Sequence, residues 1–184
     1  MISIISIIVG FVALLVAELC YLRAASSHAP KFHRMFHVIG YSFVGLGVIV
    51  VIIEALKESP HPFFVQALFL VLTAISGILL IWTTFIEIPR GVARYHIRPS
   101  HVYDKGSYGK CRHPGFWWFL FLTLWLTLWT NTMSALVCFL ISNSMNLLLI
   151  FVQDKYTFPL QFSGYRHYAI YVPFLIPRSL SLRK

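Results

Sequence analysis

The chain has 184 residues, 58% of them hydrophobic and only 11% charged, a composition that excludes an ordinary soluble domain and indicates an integral membrane protein. A net charge of +9 would suit nucleic acid, but the basic residues form no helix face or tract interleaved with exposed aromatics, so no nucleic-acid partner is expected. Cys20, Cys111 and Cys138 are odd in number and lack metal-ligand spacing, which implies neither a disulfide framework nor a zinc site.

Five segments, approximately 2–22, 35–56, 64–88, 115–131 and 132–152, are apolar over the roughly 20 residues a helix needs to cross a bilayer. The expected fold is all-α: one polytopic membrane domain, 1–184, with about five transmembrane helices. Residues 1–100 supply three spans and a loop, and 101–184 a turn, a helical hairpin and a tail. The first segment has no basic leader and no small-residue cleavage pattern, so it reads as a span rather than a signal peptide. With the N-terminus outside, Lys57 is the one basic residue on the outer side, and the other fourteen are cytoplasmic. The compact size, with no targeting extension, points to a bacterial inner membrane.

Glu18, Glu54 and Glu87 are ionisable groups within the first three spans. Each lies near a helix end, where it is expected to reach the interface or pair with a neighbour such as Arg23 or Arg90. Glu87 stands out because it enters the loop that leads to Gly106. Only His33 and His37, of the trio with His28, share a helix face, and two ligands do not make a metal site.

The stretch G-S-Y-G-K-C-R-H-P-G-F, from Gly106 to Phe116, is where polar and catalytically capable side chains crowd beside apolar runs. Pro114 is a natural first helical residue, so the stretch reads as a loop entering a helix whose N-terminus, with Arg112, favours an anion. Cys111 adjoins Arg112, which makes a lowered thiol pKa conceivable. The fourth and fifth spans meet at Thr130 to Thr132 with almost no loop. Both arms are about a bilayer thick, so Arg112 and His113 at the entry are expected to face Gln153, Asp154 and Lys155 at the exit. Trp117, Trp118, Trp125 and Trp129 read as interfacial aromatics, and Asn143, Ser144 and Asn146 as cross-helix hydrogen-bonding groups. In the tail, Tyr165, Tyr168 and Tyr171 are spaced by three and are expected to share a helix face. The apolar, proline-punctuated remainder is too short to span and suits a lid over the cytoplasmic ends of the helices.

Taken together, G-S-Y-G-K-C-R-H-P-G-F, the hairpin, Q-D, F-S-G-Y-R-H-Y and V-P-F-L-I-P resemble the membrane methyltransferases related to isoprenylcysteine carboxyl methyltransferase and phospholipid N-methyltransferases. The resemblance covers roughly 105–178. It implies an S-adenosylmethionine site made by Tyr108, Arg112, His113, Pro114, Asp154, Tyr165, Tyr168 and Arg178, with Arg112, His113 and Asp154 catalytic. The implied acceptor is a lipophilic small molecule, a lipid or a prenylated group reached from the bilayer. Two departures stand out: Gln153 and Asp154 replace a glutamate pair, and Phe116 replaces an aromatic hydroxyl. An NADPH-dependent membrane sterol or enone reductase, with a similar R-H-P turn, is the alternative enzyme class. A non-catalytic membrane scaffold is the alternative outside enzymes.

Overall fold

A computed structural model describes residues 2–23, 29–98 and 100–177. The described residues form a helical membrane bundle without strands. The helices are α1 (Ile2–Arg23), α2 (Ala29–Glu58), α3 (Phe63–Ile81), α4 (Ile88–Arg94), α5 (Pro114–Thr130), α6 (Met133–Val152), α7 (Phe158–Gln161) and α8 (Tyr165–Tyr171). Two π-helical segments, Trp82–Glu87 between α3 and α4 and Gln153–Thr157 between α6 and α7, keep the long helices continuous.

Among the described residues four helices are long and apolar enough to cross a bilayer: Ile2–Arg23, Phe32–Lys57, Phe63–Arg94 and Met133–Gln161. The fourth expected span, 115–131, is shorter than the others. Pro114 starts α5, and Asn131 ends it in the left-handed conformation (φ 50°), leaving 17 residues, or about 26 Å at 1.5 Å per residue. This helix packs against α2, α3 and α6. Trp129 at its end is 1% exposed, so it belongs to the core and not to an interfacial belt.

Helices α1 and α2 meet through small residues, the usual means of close approach where lipid competes for apolar surface. Gly10 and Gly40 lie so close across this contact that a Cβ on either would collide with the other's backbone. Ser6 Oγ donates to the Phe43 carbonyl at 2.7 Å. Helices α5 and α6 form the expected hairpin. Thr132 caps α6 by accepting from the Ala135 amide, and Asn143 Nδ2 donates across to Thr123 Oγ1 at 2.9 Å.

By contrast α2 and α3, though joined by a short turn, scarcely touch: α2 packs on α1 and α3 on α5. The space between them is part of the cavity described next.

Candidate active site

One end of the bundle gathers the loop after α4, the start of α5, the π segment after α6, and α8. The loop is held by the first π segment. Glu87 accepts from the Ser107 amide at 2.7 Å and from the Ser107 hydroxyl. Gly106, at φ +58°, makes room for that carboxylate; a Cβ there would strike Glu87 Oε1. Tyr108 Oη donates to the Thr83 carbonyl at 2.9 Å. Glu87 therefore orders the loop and does not pair with Arg90, whose guanidinium lies over the Trp82 ring.

Pro114 is the first residue of α5, as its missing N–H favours, and His113 is the cap. The hairpin brings Asp154 back beside both motif residues. Asp154 Oδ1 lies 3.2 Å from Arg112 Nε and 3.3 Å from His113 Nε2, and it accepts a hydrogen bond from Tyr165 Oη at 2.6 Å. The expected facing of Arg112 and His113 with Asp154 is thus present. Gln153 turns the other way and donates to Glu18 at 2.8 Å. The Arg112 contact is an ion pair without hydrogen-bond alignment, so Nε stays buried and short of a partner.

Tyr165 and Tyr168 are buried, whereas Tyr171 is 59% exposed. The three do not share a face: on an α-helix the sixth residue on lies about 120° away. Tyr168 Oη donates to the Tyr108 carbonyl at 2.6 Å. The tail continues over the turn. The Arg112 amide donates to the Pro173 carbonyl at 3.0 Å, and Trp117 Nε1 donates to the Leu175 carbonyl at 2.9 Å. Phe158 stacks on the His113 ring at 5.8 Å, and Phe174 meets it edge-on at 5.2 Å. Arg178 lies outside the described residues, as does His28.

Burial sets the protonation of this cluster. It pushes the His113 imidazole below its ordinary value, although Asp154 pulls the other way. Burial, reinforced by the Asp154 charge, pushes the Tyr165 phenol up, and burial does the same for Tyr108 and Tyr168. All three stay protonated donors. Cys111 is buried and its thiol is pushed up, so Arg112 does not make it a thiolate.

A cavity of about 830 Å³ connects this cluster to the bundle interior. Its polar end is formed by Tyr108, Arg112, His113, Tyr165 and Tyr168, and its apolar length by α2, α3 and α5 as far as Trp129. That is about 22 Å of helix from Pro114. Ile49 and Ile78 line it while also being exposed on the outer surface of α2 and α3, so it opens sideways between them. Thr73 Oγ1 and Trp129 Nε1 lie in the apolar part, buried without partners.

Sequence reasoning missed the partners that shape this end: Ser107 for Glu87, the Phe158 and Phe174 walls of His113, and Glu18 for Gln153. Phe158, beside Pro159 just past the hairpin, was the one local signal.

Comparison with protein-family models, with curated proteins and with solved structures finds no match to this chain.

Proposed function

We propose that the protein is an integral membrane S-adenosylmethionine-dependent methyltransferase acting on a lipophilic or membrane-associated acceptor, with its polar end toward the cytoplasm. The observation that carries the reading is one cavity joining Arg112, His113 and Tyr165, which Asp154 ties together from behind, to an apolar corridor open to lipid. A soluble metabolite would not need that corridor, and a purely structural cluster would not need the cavity. The volume falls within the roughly 300–1,000 Å³ typical of small-molecule sites. The clustering of basic residues at the polar end supports the cytoplasmic orientation.

The residues present fit the cofactor. Arg112 has a buried Nε without an aligned partner, which a ligand carboxylate can satisfy. Asp154 supplies the complementary negative charge, while Tyr108, Tyr165 and Tyr168 offer aromatic surface for a cationic group. S-adenosylmethionine, when bound, supplies an electrophilic methyl group. The chain's own contribution is alignment and exclusion of water, with the tail strapped over the turn. His113 presents Nε2 to Asp154, so Nε2 carries the proton and Nδ1 is the basic nitrogen. An amine or thiol acceptor would lose its proton to that base, and a carboxylate acceptor would need none.

Calorimetric titration of the detergent-purified protein with S-adenosylhomocysteine, and separately with NADPH, tests the reading. Micromolar binding of the first, abolished in Arg112→Ala and Asp154→Ala, is expected. Binding of NADPH alone would move the site to reductase chemistry. Binding of neither by folded protein would leave a scaffold.

A further inference from the structure

The same end of the bundle holds a second polar cluster, on the far side of the π segment from Asp154. His33 and His37 lie one turn apart on α2, and α1 brings Glu18 against them. One ligand atom from each of the three lies within 4.8 Å of the other two. Glu18 is 1% exposed, pairs with His37 at 3.3 Å, and does not reach Arg23 or the interface as its position suggested.

The hydrogen-bond inventory of this cluster does not close. His37 Nδ1 lies 3.0 Å from the His33 carbonyl, which can only accept, so Nδ1 carries a proton and Nε2 is free to present a lone pair. That lone pair points at a carboxylate, another acceptor. A proton on Nε2 would relieve this one contact. It would leave Glu18 Oε2 and His33 Nε2, both buried and without a hydrogen bond in place; the Thr157 hydroxyl, itself buried beside Glu18, can serve the carboxylate but not His33. Among the described side chains no lysine or arginine pairs with Glu18.

We propose that Glu18, His33 and His37 form a binding site for a divalent transition-metal ion of the zinc class. One cation at their centre satisfies all three open acceptors together. Two imidazoles and a carboxylate are a recognised zinc donor set, which leaves one position for water. At zinc–ligand distances of about 2.0–2.1 Å a tetrahedral edge is about 3.3 Å. The separation of His37 Nε2 from Glu18 Oε1 already has that length, a rotation of the carboxylate brings Oε2 to the same place, and His33, within 4.8 Å of both residues, closes on the ion by a side-chain movement of about 1.5 Å. The outer contacts of such a site are also in place. The His33 carbonyl fixes the His37 tautomer, and Gln153 Nε2 donates to Glu18 Oε1, the pattern that orients metal ligands elsewhere. Tyr21 flanks the His33 ring at 5.2 Å. The site clamps α1 to α2. Through Gln153 it reaches the backbone that carries Asp154, so the ion would hold the cofactor end without touching cofactor. This inference does not depend on the methyltransferase reading.

The test uses tag-free, full-length protein in detergent, stripped with a chelator, titrated with Zn²⁺ by calorimetry and with Co²⁺ by visible absorption. One ion per chain is expected, with the intense d–d bands of tetrahedral Co²⁺. Glu18→Gln and His33→Ala should weaken binding by on the order of a hundredfold, and Gln153→Ala by about tenfold. His167→Ala, on the exposed face of α8, should leave it unchanged. Wild-type protein that binds no stoichiometric ion overturns the proposal, as does equal binding by wild type, Glu18→Gln and His33→Ala. Wild-type binding is read directly, so a variant that fails to fold does not decide the matter. S-adenosylhomocysteine binding by the His33→Ala protein separates failure of this site from failure of the cofactor site.

Discussion

The hydroxyl of Tyr168 donates to the backbone carbonyl of Tyr108 at 2.6 Å, linking positions sixty residues apart. Tyr108 in turn donates to the Thr83 carbonyl, so three segments of the chain are tied in series: α3's π continuation, the loop before α5, and α8. This end of the bundle is therefore tied together by side-chain hydrogen bonds, to backbone and to other side chains, as well as by helix packing.

Removing one link tests this. Tyr168→Phe keeps the ring and strands the Tyr108 carbonyl, at an expected cost of about 1–3 kcal/mol. The loop should loosen, with S-adenosylhomocysteine affinity falling several-fold in the same protein. A thermal melt and a titration read both, and an unchanged melt with unchanged affinity would refute the series arrangement.

Asp154 is shared by three donors, so its loss should exceed that of any one of them. Asp154→Ala leaves Arg112 half-buried without its counter-charge, and a cost of about 3 kcal/mol is expected. Asp154→Asn retains an acceptor for Tyr165 and should lie between alanine and wild type in denaturant unfolding. Equal stability of all three proteins would show that the ion pair contributes nothing.

The neutral state of His113 carries a pH signature. Its folded pKa is lowered by burial, so the unfolded chain binds more protons than the folded one once the pH drops below the ordinary value of 6.5. The contribution is fully present above 6.5 and is lost as pH falls toward the folded pKa. Melting temperature should therefore decline on acidification, and His113→Gln should decline less steeply over the same range. Parallel curves would place the titration elsewhere.

The corridor can be narrowed without disturbing the polar end. Gly45 lines it, and a Cβ built there meets nothing within 4 Å. Gly45→Leu should keep or slightly raise stability, since glycine inside a helix costs about 1 kcal/mol. It should leave S-adenosylhomocysteine binding intact and raise KM for long-chain acceptors. An unchanged KM across acceptors of different length would show that the corridor carries no substrate.

Much of the bundle is legible in hydropathy alone, because a helix in lipid must satisfy its own backbone and its apolar length is written locally. The pairing of Arg112 and His113 with Asp154 is legible too, since a loopless hairpin fixes which residues return together. What the sequence conceals is long-range or depends on phase. Glu18 meets Gln153 from 135 residues away, and nothing near Glu18 announces it. Tyr171 is misplaced by spacing because three-residue steps drift off a 3.6-residue turn. The two π segments have no local sequence mark, yet they aim Glu87 at the loop and separate the directions of Gln153 and Asp154.

Those π segments also bear on changes of chain length. Either could lose one residue and relax into ordinary α-helix, leaving continuous apolar helices that still insert into a bilayer. The helix beyond would keep its phase, because an i→i+5 turn absorbs one extra residue, but the side chains within the segment, Glu87 in one and Gln153 and Asp154 in the other, would be re-aimed. A one-residue deletion within 82–87 or 153–157 is thus invisible to membrane insertion and ruinous to the cluster. In distant variants of this chain, a gap at either place marks a protein that has kept its topology and lost this polar cluster.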